Sequence, residues 1–164
     1  MFHMSNVGKR MPIGLDSALD LFRKVDRDRA VLSSKVTPDA FFNFVVTANS
    51  LVDWVKNDPA VSSLAKQECE KLVQSDQWLR ACRDLANGSK HFVINRYEPM
   101  VEHADASSGY SKGRYGVGVY GQGEWSIIVS WNGGKYTALK FAEHVVDVWS
   151  TFFRNHDPTD NAAV

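Results

Sequence analysis

Arg80, Arg83, Asp84, Asn87, Lys90 and His91 fall within a dozen residues of one another, in the stretch 78–92 (WLRACRDLANGSKHF). In a helix, Arg80, Arg83 or Asp84, Asn87 and His91 recur at steps of three or four and share one face. Trp78, Cys82, Leu85 and Phe92 fall mostly elsewhere and are expected in a core. A guanidinium, a carboxylate, an amide, an ammonium and an imidazole so close together can grip and polarise a phosphate. The same residues also have a purely architectural reading. Asp84 can pair with Arg80 four residues back, and Asn87-Gly88 can close the helix as a left-handed cap, with His91 opening a strand. The residues alone leave both readings open.

The elements that must position this cluster can be read along the chain. Residues 1–14 have no apolar period, contain Pro12 and Gly14, and are expected to be a flexible arm ahead of a single domain at 15–154. A first helix is expected from Asp16 or Ser17, with Leu15, Leu19, Phe22 and Val25 as its apolar stripe and the charges from Lys24 to Arg29 solvated. Thr37-Pro38 starts a second helix, a hydroxyl cap followed by proline at the first helical position. Its sequence (FFNFVVTANSLVDWV) is apolar over more than half its circumference, which suits the middle of a bundle, and Asn57-Asp58-Pro59 stops it. A third helix is expected from Val61 or Ser62 to Ala86 or beyond, carrying Leu64, Leu72, Leu79, Cys82 and Leu85.

The chain then changes period. Residues 91–97 (HFVINRY) read as a short strand, 101–114 as a polar surface connection, and 115–120 and 125–131 as the arms of a hairpin around Gly121 to Glu124. Asn132-Gly133 supplies a second tight turn before a short strand at 135–137. A last helix at 139–153 carries Phe141, Ala142, Val145, Val148, Trp149 and Phe152 on one side, and 155–164 is expected to fray. The fold class is therefore mainly α: an up-and-down bundle of about four helices, with a small antiparallel hairpin or three-stranded insertion at about 91–137 before the last helix. Phe22, Phe44, Trp54, Leu72, Trp149 and Phe152 are expected to lead its core.

Composition limits the function. The chain has 164 residues, 44% of them hydrophobic and 12% aromatic, enough for one buried core. Lysine plus arginine equal aspartate plus glutamate at 19 each, which argues against a protein that coats DNA through a basic surplus and leaves room for a local basic site around Arg80, Arg83, Lys90 and Arg96. Cys69 and Cys82, on one continuous helix, would lie roughly 20 Å apart along its axis, too far for a disulfide. Reduced thiols, no apolar leader and no membrane-length segment suggest a soluble cytoplasmic protein. The five histidines show no metal-ligand spacing and neither cysteine has a CxxC partner, so no metal or cofactor is expected. Gly116, Gly118, Gly121 and Gly123 sit in a hairpin pattern with no Lys-Ser or Lys-Thr after them, which is not a nucleotide loop.

Arg83, the polar Asp84 directly after it, and His91 further on resemble the motif of the HEPN superfamily, the higher eukaryotes and prokaryotes nucleotide-binding domains. Active members of that family are helical bundles with an arginine, a polar residue and a histidine four to six residues on; here seven residues lie between Arg83 and His91. The run DLANGSKHF also looks like one found in small bacterial and phage-borne proteins of this type. The resemblance covers the helices loosely and this one segment closely, and does not extend to the hairpin. It implies metal-independent RNA cleavage to a 2′,3′-cyclic phosphate, toxin-like or defence-related, at a site completed across a homodimer. It assigns catalysis to Arg83 and His91, support to Asp84 and Asn87, and phosphate binding to Arg80 and Lys90. An antitoxin or regulatory protein is the partner such an endoribonuclease would have. The alternative from another class is a non-catalytic helical module that binds a protein partner or nucleic acid.

Overall fold

The structure, a computed structural model, describes residues 13–91, 94–108 and 125–156. Among them are five helices, α1 (Ala18–Ser34), α2 (Pro38–Asn57), α3 (Ser63–Ser75), α4 (Gln77–Lys90) and α5 (Ala138–Asn155). Three strands, β1 (His103–Ser108), β2 (Trp125–Trp131) and β3 (Gly134–Thr137), lie between α4 and α5 in sequence. This is the mainly helical architecture with a late three-stranded sheet that the periodicity predicts.

Side-chain caps define where the helices begin. The Ser17 hydroxyl accepts from the Asp20 amide, Thr37 from Ala40, Ser62 from Ala65, and Thr137 from Lys140, each satisfying an amide that the helix leaves unpaired. Pro38 takes the first helical position of α2, as expected. Asp58 ends α2 and then ties it to α1: its Oδ2 accepts from the Ala18 amide at 2.7 Å, its Oδ1 from Ala60 at 2.8 Å.

The expected third helix is two helices. Asp76 is extended (φ −77°, ψ 125°); its own amide closes α3 on the Leu72 carbonyl, and its carboxylate accepts from Trp78 and Leu79 to open α4. An aspartate that can serve both helix ends outweighs the helical period running through it. Helices α1, α2, α4 and α5 then form a closed ring of neighbours, while α3 lies against α2 and α4. The four-helix expectation thus describes the ring and misses one helix of the chain. Cys69 and Cys82 sit on different helices, so the distance along one axis does not describe them; both are free and buried.

The ring encloses Val25, Leu32, Phe44, Leu51, Phe141, Val145 and Trp149, all essentially inaccessible to solvent. Phe152 is buried too, whereas Phe22, Trp54 and Leu72 pack on this core from its edge. The buried stripe of α1 is Ala18, Leu21, Val25 and Leu32, which shares Val25 with the expected one, while Leu15 and Phe22 pack at its edge.

The sheet has the order β1-β2-β3, antiparallel throughout. Asn132 (φ 49°) and Gly133 (φ 73°) form the two-residue turn between β2 and β3, both with positive φ as a hairpin turn matched to strand twist requires. Residues 94–97, expected to end a strand, form none, and 92–93 lie outside the described residues. Strand β1 instead arises within 101–114, the expected connection. Its residues HADASS are almost all exposed and carry no apolar alternation; backbone pairing with β2 from His103↔Ser130 to Ser108↔Trp125 holds them. The hairpin arm expected at 115–120 and its turn at 121–124 lie outside the described residues.

An aromatic cluster fastens the sheet to the bundle. Trp78 of α4 meets Trp131 of β2 edge-on at 5.2 Å and Tyr136 of β3 at 4.8 Å, and stacks on His144 of α5 at 4.0 Å. The Trp131 indole donates to Gln77 Oε1 at 3.3 Å. Tyr136 lies over Gly134 so closely that a Cβ there would stand 2.5 Å from the phenol oxygen.

Candidate functional site

Helix α4 carries every residue that the sequence nominates except His91, which caps its end. Leu79, Cys82, Leu85 and Ala86 enter the core, as do Ala81 and, against expectation for a charged group, Asp84. Asp84 lies on the same face as Arg80 and Asn87, yet it is only 2% exposed. Residues 94–101, returning along α4, cover it.

A buried carboxylate needs donors for both oxygens. Asp84 Oδ1 takes Arg83, with Nη2 at 3.1 Å and Nε at 3.4 Å. Oδ2 takes the amides of Met100 at 2.6 Å and Val101 at 3.2 Å. The ion pair is therefore with the adjacent arginine and not with Arg80, the partner suggested by helical spacing. Arg83 remains 44% exposed at its side chain, and its guanidinium carbon lies 4.7 Å over the ring of Tyr97. Asn87, one turn along the helix, donates from Nδ2 to the Tyr97 hydroxyl at 2.9 Å.

The helix does not stop at Asn87-Gly88. It runs through Gly88 and Ser89 to Lys90, and the His91 amide donates to the Asn87 carbonyl at 2.9 Å. Tertiary contacts outweigh the local tendency to cap: Tyr97 holds the Asn87 side chain, and Ile94 Cδ1 lies 3.6 Å from where a Gly88 Cβ would project. Eight residues of helix set His91 about 12 Å beyond Arg83 along the axis. His91 and Lys90 are exposed, as is Arg96, and Arg80 is half-buried.

The structure thus joins Arg83, Asp84 and Asn87 in one connected network and leaves Lys90 and His91 two turns further along the same helix. Tyr97, Met100 and Val101 belong to the network and were not legible in the sequence. Met100 and Val101 act through backbone amides, which every residue but proline has; only the polar, aromatic Tyr97, following a basic residue, carried a side-chain signal. Among the described residues, no group of three or more His, Cys, Asp or Glu is arranged to hold a metal, and no helix is long and apolar enough to cross a membrane.

The chain matches no family model, and neither a curated protein nor a solved structure matches it significantly.

Proposed function

We propose that this chain is a metal-independent endoribonuclease of the HEPN type, with Arg83 and His91 as its reacting groups. The observation that carries the reading is the state of Arg83: a buried carboxylate and a tyrosine ring fix its direction, while nearly half of the side chain stays open. A donor aimed before the substrate arrives needs no reorganisation as charge develops on the attacked phosphate. In the reaction, His91 accepts the proton of a ribose 2′-hydroxyl, and the 2′-oxygen bonds to phosphorus. The bond to the 5′-oxygen breaks, leaving a 2′,3′-cyclic phosphate and, once that oxygen is protonated, a 5′-hydroxyl. Lys90 and Arg80 hold neighbouring phosphates by charge.

The 12 Å of helix between Arg83 and His91 argues for a site shared by two copies, with the arginine of one working beside the histidine of the other. Mixing inactive Arg83→Ala and His91→Ala proteins tests this. Exchange of subunits should form one intact site per mixed dimer and restore part of the cleavage. A chain that is monomeric, or a mixture as inactive as its components, would count against the shared site.

A second reading has its own support. Asp84 Oδ2, which accepts from the Met100 and Val101 amides, and the Asn87 side-chain amide are used in holding residues 97–101 to α4. If this is their whole purpose, the chain is a non-catalytic module for a protein or nucleic-acid partner. The two readings part on His91, which takes no part in that network and matters only to the enzyme.

A further inference from the structure

We infer that Tyr97, supported by Asn87, is a positioning residue that aims Arg83; this deepens the reading above and rests on it only where RNA turnover is concerned. Asp84 alone does not define the direction of the guanidinium. Both of its contacts with Arg83 go to a single oxygen, Oδ1, at 3.1 and 3.4 Å. A fork resting on one oxygen can still pivot about it, whereas a side-on pair with both oxygens could not. The second oxygen is unavailable because it binds Met100 and Val101.

Tyr97 removes the remaining freedom. Its ring lies against the guanidinium at 4.7 Å, a contact that favours a planar cation lying over the ring. The ring itself is held at two points. Its hydroxyl accepts from Asn87, four residues from Arg83 on the same helix, and its chain segment is pinned three residues later by Oδ2 of Asp84. Asp84, Met100, Tyr97, Asn87 and Arg83 therefore close a loop of contacts on α4. Nε and Nη2 of Arg83 face Asp84, and among the described residues Nη1 has no partner. Nη1, together with the second hydrogen of Nη2, is then the pair of donors that can take two oxygens of one phosphate on this half-open side chain.

The test uses the full chain with Tyr97→Phe, Tyr97→Leu and Asn87→Ala. The Arg83 Nε–Hε resonance, identified by its loss in Arg83→Lys, is followed by NMR, and thermal melting confirms that each variant is folded. In the native chain this resonance should be displaced by the Tyr97 ring current and be as rigid as the backbone. Tyr97→Leu should abolish both properties. Tyr97→Phe should keep the displacement and lose part of the rigidity, and Asn87→Ala should resemble it. Where RNA is cleaved, Tyr97→Leu should lower kcat at least tenfold with a smaller change in KM, and Tyr97→Phe should recover most of it. An Arg83 resonance unchanged by Tyr97→Leu overturns the inference, as does a lost signature with kcat intact. A signature that behaves as stated in a chain that cleaves no RNA upholds the positioning and removes the ribonuclease reading instead.

Discussion

Asp84 is the residue on which the candidate site depends, because a charge 2% exposed has few ways of being satisfied. Replacing it with alanine leaves the Met100 and Val101 amides without their acceptor and Arg83 without its counter-charge. The expected cost is about 3 kcal/mol, in the range seen when one partner of a buried pair is removed. Urea denaturation would measure it, and a loss below about 1 kcal/mol would mean that the segment holds without the carboxylate. The cysteines make a second prediction at this scale. Burial pushes the Cys82 thiol up to about 12 and the Cys69 thiol up to about 11, from 9.0. Both should resist a disulfide reagent at pH 8 in the folded chain and react once urea is added. The unfolded chain releases these protons above about pH 9 while the folded chain keeps them, so stability should fall as pH rises from 9 toward 11 or 12. A Cys69→Ala, Cys82→Ala protein should lose that part of the decline; an unchanged alkaline slope would assign it to other groups.

At the scale of elements, the start of α2 was legible as a capping hydroxyl followed by proline at Thr37-Pro38, and the caps Ser17 and Ser62 lie where the first and third helices were expected to begin. Asp76 was missed by the same logic. It sits inside an unbroken helical period, and nothing local says that its carboxylate turns to Trp78 and Leu79 and not to solvent. Asp76→Ala should cost about 1 kcal/mol by removing that cap; no change in the urea midpoint would mean that packing alone breaks the helix. Strand β1 was illegible for a different reason: its pairing with β2 uses backbone groups, and HADASS carries none of the alternation by which strands are recognised. The turn at Asn132-Gly133 was legible because its positive φ angles demand those residues. Gly134 beside it has another constraint. A Cβ would press on Tyr136, whose ring would have to shift against Trp78 and Trp131 to make room. Gly134→Ala should therefore destabilise by roughly 1–3 kcal/mol, as overpacking does, and near-ultraviolet circular dichroism should register the disturbed tryptophans. An unaltered spectrum and stability would show that the ring moves freely.

Over the whole molecule, a ring of four helices presents α4 with one face in the core and the other partly roofed by residues 94–101. The core face of α4 was visible in its period. The roof was not, since a segment without period announces nothing about where it will lie, and Arg83 owes its orientation to that roof. Zero net charge means that any grip on RNA is local, through Arg80, Arg83, Lys90 and Arg96, so binding should weaken with salt as a few phosphate contacts do. The most direct measurement is cleavage of a defined RNA in EDTA by the native chain, Arg83→Ala and His91→Ala at matched purity. The native chain should cut to 2′,3′-cyclic phosphate ends, and each substitution should reduce the rate by about 10²-fold or more. Equal cleavage by the His91→Ala protein, or RNA left whole by a native chain that demonstrably binds it, would contradict the enzyme and leave the module.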